Sequence, residues 1–180
     1  MFVSTSAGNQ GPTATAPAPV GHISPWLASV GNSTHNRIYL ADAVTGSGAT
    51  LTGASSNANT PTSPLVLAKD AGLPGADPVQ LNRCFGATDA VEPLLDPAKV
   101  AGKILVCDRG GNVLVNKSAN AKVAGAVGVV IANVEGGATT IINQAHTIST
   151  VHIVKEHTAV LKSYIAVSYT HLTLPTIYSV

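Results

Sequence analysis

Charge is scarce in this sequence. Charged side chains make up only 11% of its 180 residues, and the formal net charge is +1. That balance removes the long-range attraction on which nucleic-acid binders depend. A disordered acidic or basic tail is excluded as well, because hydrophobic residues reach 45%. Aromatics are few at 4%, and the apolar total rests on alanine and valine, whose small side chains build a modest core. The longest near-continuous apolar stretch, residues 123–134, is too short to cross a bilayer and is broken by Gly125 and Gly128. No basic segment followed by a long apolar one opens the chain, so no secretory leader is visible. In a piece of a longer protein, that says nothing about export.

Cys84 and Cys107 are the two cysteines, too few for a zinc site and not a C-x-x-C pair. Two readings stand: independent buried thiols, or a disulfide, which an extracellular setting favours. Low charge and loops rich in Ser, Thr, Asn and Gly suit that setting, and we expect the pair to be joined. His146, His152 and His157 belong to no H-E-x-x-H helix and read as strand-edge or surface side chains, not metal ligands. Asp108-Arg109-Gly110-Gly111 reads as a solvated turn with an internal ion pair. Gly125 and Gly128 form no dinucleotide fingerprint, because the helix expected there precedes them.

The chain opens with Phe2-Val3 and then Ser6-Ala7-Gly8-Asn9-Gln10-Gly11-Pro12, the pattern of a strand ending in a tight turn. Gly8 and Gly11 open backbone angles closed to other residues, and Pro12 fixes the exit. An asparagine held there can aim its side-chain N–H at an oxygen gaining negative charge, which stabilises acyl-transfer transition states. Residues 26–30 and 37–44 alternate as strands, and the low-complexity stretch 46–63 reads as an exposed linker. A second compact unit is expected from Pro64. Within it, residues 103–107 form a strand, and Asn112 caps a helix carrying Val115, Ala119 and Val123 inward, with Asn116, Lys117, Asn120 and Lys122 outward. Gly125 stops that helix and residues 127–133 form the next buried strand. Residues 157–165 suit a short helix with Val160, Leu161, Tyr164 and Ile165 on one face. Asn32-Ser33-Thr34 and Asn116-Lys117-Ser118 fit the glycosylation acceptor pattern.

The heptad from Ser6 to Pro12 resembles the S-A-G-N-x-G-P segment of subtilisin-like serine proteases. The resemblance implies that Asn9 is the side-chain donor of an oxyanion hole. It also implies that Ala7 and Gly8 line the pocket for the substrate residue before the scissile bond, their backbone pairing with a substrate strand. The D-T/S-G, H-G-T-H and G-T-S-M-A motifs of that family are absent. The chain therefore reads as a fragment without peptidase activity of its own.

Leu95-Asp96-Pro97-Ala98-Lys99-Val100-Ala101-Gly102-Lys103-Ile104, Cys107-Asp108-Arg109-Gly110, Lys117 and Ala124-Gly125-Ala126-Val127-Gly128 together resemble the protease-associated (PA) domain, over about residues 64–165. Many large subtilisin-like proteases carry this domain between the oxyanion asparagine and the nucleophilic serine, which accounts for the order seen here. Residues 167–176 resemble a translated sequencing adapter, so 167–180 are expected to be an appended tail.

The resemblances together imply an α+β fold: a PA domain of sandwich or open barrel-like sheets with short flanking helices, at 64–165. It is preceded by a fragment of a subtilisin-like α/β catalytic domain at 1–45 and the linker at 46–63. The implied function is that of a secreted serine endopeptidase acting on polypeptide substrates. Its PA domain would serve substrate access, recognition, protein contacts or homo-oligomerisation. No nucleic-acid or membrane partner, no metal site and no cofactor is implied, with calcium left open for a full-length enzyme. The competing reading is a non-catalytic PA interaction module, as in sorting receptors, which has no use for residues 6–12. Zinc exopeptidases with PA domains form a third class, whose ligands are not supplied here.

Overall fold

Two short parallel strands begin the computed structural model, which describes residues 2–8, 20–31, 37–58, 61–167, 171–174 and 177–179. Strand β1 (Ser4–Ser6) pairs with β2 (Ala28–Val30), Thr5 opposite Ser29. These belong to the first of two compact units, Met1–Asn36; the second is Arg37–Val180.

The second unit contains β3 (Tyr39–Thr45), β4 (Thr50–Ala54), β5 (Thr62–Leu67), β6 (Ile104–Asp108), β7 (Gly128–Ala132), β8 (Ser149–Ile153), β9 (His171–Thr173) and β10 (Ile177–Ser179). Their order is β10-β3-β4-β8-β7-β6-β5-β9, and β9 also pairs with β3, so the sheet closes on itself. Strands β5 to β8 are parallel, with Val66, Leu105, Val129 and Thr150 in line across them. Parallel strands covered on both faces need continuous apolar runs, and Ile104–Val106 and Val129–Ala132 supply them. Alternation then divides each run between two cores. Leu105, Cys107, Val129 and Ile131 face one, with Leu114 and Ala121; Ile104, Val106 and Val130 face the other, with Leu51, Leu161 and Tyr164.

Four helices flank the sheet: α1 (Pro78–Asn82), α2 (Pro97–Val100), α3 (Leu114–Val123) and α4 (Lys155–Val167). Proline starts α1 and α2, and each is capped by an aspartate: Asp77 accepts from the Gln80 N–H and Asp96 from the Ala98 N–H. This barrel of sheet with short flanking helices is the α+β architecture expected.

Residues 46–63 are not a linker. They contain β4, in which Leu51 is 1% and Ala54 2% exposed. The small residues there reflect close packing: a Cβ on Gly53 would lie 2.6 Å from the His152 carbonyl oxygen of β8. Strand β3 also belongs to the second unit, so the unit boundary falls at Arg37, not Pro64. Residues 167–180, read as an appended tail, contribute β9 and β10, with Leu172 and Leu174 fully buried. Helix α3 is rotated from its expected setting. Val123 is 74% exposed, while Lys117, Ser118 and Asn120 are buried beside Leu114 and Ala121.

Cys84 and Cys107 form a disulfide, Cα–Cα 5.7 Å, that ties the loop just past the end of α1 to β6. Reducing it should destabilise the unit by about 3 kcal/mol, the chain-entropy value for a loop of this size, measured by denaturant unfolding with and without reductant. Leu51→Ala should cost about 2–4 kcal/mol by leaving a cavity. A residue in a solvated linker would change the stability by about 0.5 kcal/mol or less.

Candidate functional site

Of the residues expected to face a substrate, Ala7 and Gly8 are described and Asn9 lies outside the described residues. Gly8 has φ 93°, in the left-handed region that glycine enters without a Cβ clash. Ala7 is fixed on both sides: its N–H donates to the Val30 carbonyl at 2.9 Å, and its carbonyl accepts from the Gly21 N–H at 2.7 Å. Its donor is therefore spent within the fold, and only its carbonyl keeps a lone pair for a substrate strand. His22 Nδ1 lies 3.0 Å from the Ser6 carbonyl oxygen, and the His22 carbonyl accepts from Ser29 Oγ at 2.5 Å. The strand is thus anchored up to the glycine that precedes Asn9.

A second polar cluster surrounds α3 and was not legible as a site. Helical spacing aligns Asn116 with Asn120, and Asn112 precedes them by one turn. All three amides donate to the Asp89 carboxylate, at 2.9 Å from Asn112, 2.7 Å from Asn116 and 2.8 Å from Asn120. The Gly86 N–H adds a fourth bond at 3.2 Å. Burial pushes the Asp89 carboxyl up, but these four donors outweigh it and hold it below the usual range.

Lys117 is fully buried. Its ammonium donates to the Arg83 carbonyl at 2.6 Å, to the Gly110 carbonyl at 3.1 Å and to Asn112 Oδ1. Burial lowers its pKa to about 7; Asp89 and Asp108 draw it back up, and Arg83 adds to the drop. Three N–H bonds meet three acceptors, so the cage fits the charged form. Such a saturated group is structural, since no proton is left to move toward a ligand. The Asn116 amide is likewise engaged and Ser118 is buried, so that acceptor tripeptide is committed to the fold.

Asp108 and Arg109 do not pair with each other. Asp108 accepts from Asn82 at 2.6 Å and from Lys162 at 2.8 Å. Arg109 reaches Asn133 Oδ1 at 3.2 Å and the Thr140 carbonyl. The histidines also depart from expectation. His152 is 1% exposed and His146 half-buried; burial drives each pKa down to about 4. Among the described residues, no group of three His, Cys, Asp or Glu side chains could hold a metal ion. No helix there is long and apolar enough to cross a membrane.

The family model for the PA domain matches residues 61–161. The chain belongs to the PA domain family. Its relatives are subtilisin-like proteases. SBT1.6 of Arabidopsis thaliana is 36% identical over 82% of this chain and 18% of its own length. SBT1.4 of the same plant is 39% identical over 74% of this chain and 15% of its own length. For SBT1.7 the values are 31%, 92% and 21%, so this PA-containing chain spans about a fifth of such relatives. Two solved structures are also similar. One is the subtilisin-like protease Apa1 from Pseudoalteromonas sp. AS-11: 13% identity, TM-score 0.49, covering 97% of this chain and 47% of Apa1. The other is the Bacillus subtilis zinc aminopeptidase BSAP: 20% identity, TM-score 0.49, covering 82% and 32%. Both likenesses are too slight to bear on activity.

Lys117→Met keeps the volume but strips three buried oxygens of their donor, and should destabilise the PA unit by about 2–4 kcal/mol in denaturant unfolding. Asp89 supplies an acid-side test. Its folded pKa is depressed, so its contribution is present above the unfolded value and is lost as pH falls through the folded one. Below about pH 4, stability should fall more steeply in the parent than in Asp89→Asn.

Proposed function

We propose that this chain is part of a secreted subtilisin-like serine endopeptidase. Asn9 is its side-chain oxyanion donor, and the PA unit serves substrate access, recognition or protein contacts. The observation that carries this reading is the heptad Ser6–Pro12, whose described part ends β1 and reaches Gly8 at positive φ, together with a PA unit whose relatives are subtilisin-like proteases. A receptor module has no use for that heptad. The buried disulfide supports an oxidising, extracellular setting.

In the complete enzyme, a serine from outside this chain attacks the peptide carbonyl and a histidine takes its proton. The Asn9 side-chain N–H meets the oxygen once the carbonyl turns tetrahedral. Ala7 and Gly8, small and anchored, leave room for the substrate side chain before the scissile bond. The residues of this chain supply no nucleophile or base motif, so by itself it should not hydrolyse peptides.

In the full-length protease, Asn9→Ala should lower kcat by about 10²–10³-fold with little change in KM; the magnitude is that of removing the equivalent donor in subtilisin itself. The kcat signature follows because the bond forms chiefly in the transition state. Steady-state kinetics on a peptide substrate read it, and unchanged kcat in a folded variant reduces Asn9 to a turn residue.

A further inference from the structure

Between β7 and β8 the chain runs through residues 134–148 without regular secondary structure, held mainly by side chains. The Ile142 N–H donates to His152 Nδ1 at 3.1 Å. The Thr140 carbonyl accepts from Asn133 at 3.1 Å and from Arg109. Asn143 exchanges two bonds with the Tyr39 main chain, at 3.0 and 2.7 Å, and Ser56 donates to the Gln144 carbonyl at 2.7 Å. This strap closes a weak seam. Strands β4 and β8 pair through only Gly53–Ile153 and Ala54–His152. Beyond these, Ser55 donates to the Thr150 carbonyl at 2.7 Å and the strap covers the rest. Two buried amide oxygens in this region, Asn57 Oδ1 and Gln144 Oε1, accept no hydrogen bond from the protein.

His152 is the fastening that acid can undo. A backbone N–H can only donate, so His152 Nδ1 must be an acceptor without a proton. Nε2 then carries the hydrogen and donates to Asn133 Oδ1 at 2.8 Å. Protonating Nδ1 would set one N–H against another. After burial itself, the titratable neighbours of the ring oppose its charge: Arg109 follows β6, and His146 stands on the strap. The adjacent strands offer only Ile131 on β7 and Gly53 and Ala54 on β4. His146 Nδ1 lies 3.0 Å from Ser118 Oγ, whose hydrogen points at the Val115 carbonyl, so that imidazole is a donor there. At the strap's start, Glu135 pairs on the surface with Lys155.

We propose that residues 134–148 form an acid-released strap, which closes the β4–β8 seam while the His152 imidazole is neutral and leaves the sheet when it becomes charged. The sign follows from linkage. The native state holds His152 neutral down to about pH 4, against 6.5 in a solvated ring. The stability that neutral His152 lends to closure is therefore fully present above the solvated value and is lost as pH falls toward the native one. His152 alone should raise the open-to-closed ratio on the order of 30-fold between pH 7.5 and pH 5, and His146, half-buried on the strap itself and also held down to about 4, adds to the rise when the strap opens. The device is independent of the protease reading.

Hydrogen exchange of the whole chain, corrected for intrinsic rates, tests it. Protection at Ile142 and Tyr39 should fall by at least about 30-fold over that interval, while the β6 and β7 amides stay protected. His152→Gln offers an uncharged acceptor and donor in place of the ring and should remove about 30-fold of the response, leaving only the part that His146 contributes. Strap protection unchanged down to pH 4, or lost together with β6 and β7, would overturn the proposal. So would the same pH dependence in a folded His152→Gln variant. If that variant does not fold, the imidazole titration of the parent decides: a His152 that titrates near 6.5 is not the latch.

Discussion

The ammonium of Lys117 is the point on which the PA unit's crossover depends. It sits without solvent exposure between the loop that carries Cys84 and the turn that leaves β6. Desolvating that charge is costly, and only complete hydrogen bonding offsets it. The fold meets this by placing two backbone carbonyls and Asn112 around Nζ. Asp89 is then held nearby by the asparagines of α3. One helix thereby fixes the loop at 83–89, the turn at 110–112 and the disulfide. The β6–α3–β7 crossover is set by a polar tie as much as by apolar packing.

That tie also explains where sequence reasoning succeeds and fails. Strands β6 and β7 are legible because both are continuous apolar runs. The face of α3 is not legible. A pattern of Val115, Ala119 and Val123 argues for an apolar inward stripe, yet Lys117 and Asn120 turn inward because Asp89 and the loop carbonyls await them. Those partners lie far away in sequence, and no local spacing announces them.

Strand β4 is hidden for a different reason. Close approach to β8 requires Gly53 and small neighbours, which gives the strand the composition of a linker. The histidines mislead similarly, since a polar residue in a buried strand is invisible until its hydrogen-bond partners are placed. His152 is buried because Ile142 and Asn133 satisfy both ring nitrogens. At the proposed oxyanion turn the outcome is reversed. There a short local motif carries the proposed chemistry, and the anchoring of Ala7 through Val30 and Gly21 is the part that only the fold supplies.

The proposed role of Asn9 is to meet a developing oxyanion in a PA-containing protease. The most direct measurement is a crystal structure of the complete enzyme with a peptidyl aldehyde bound covalently to its serine. The account predicts Asn9 Nδ2 about 2.7–3.1 Å from the tetrahedral oxygen, with Ala7 still bonded to Val30. An Asn9 side chain turned away from that oxygen, with another donor in its place, would contradict it.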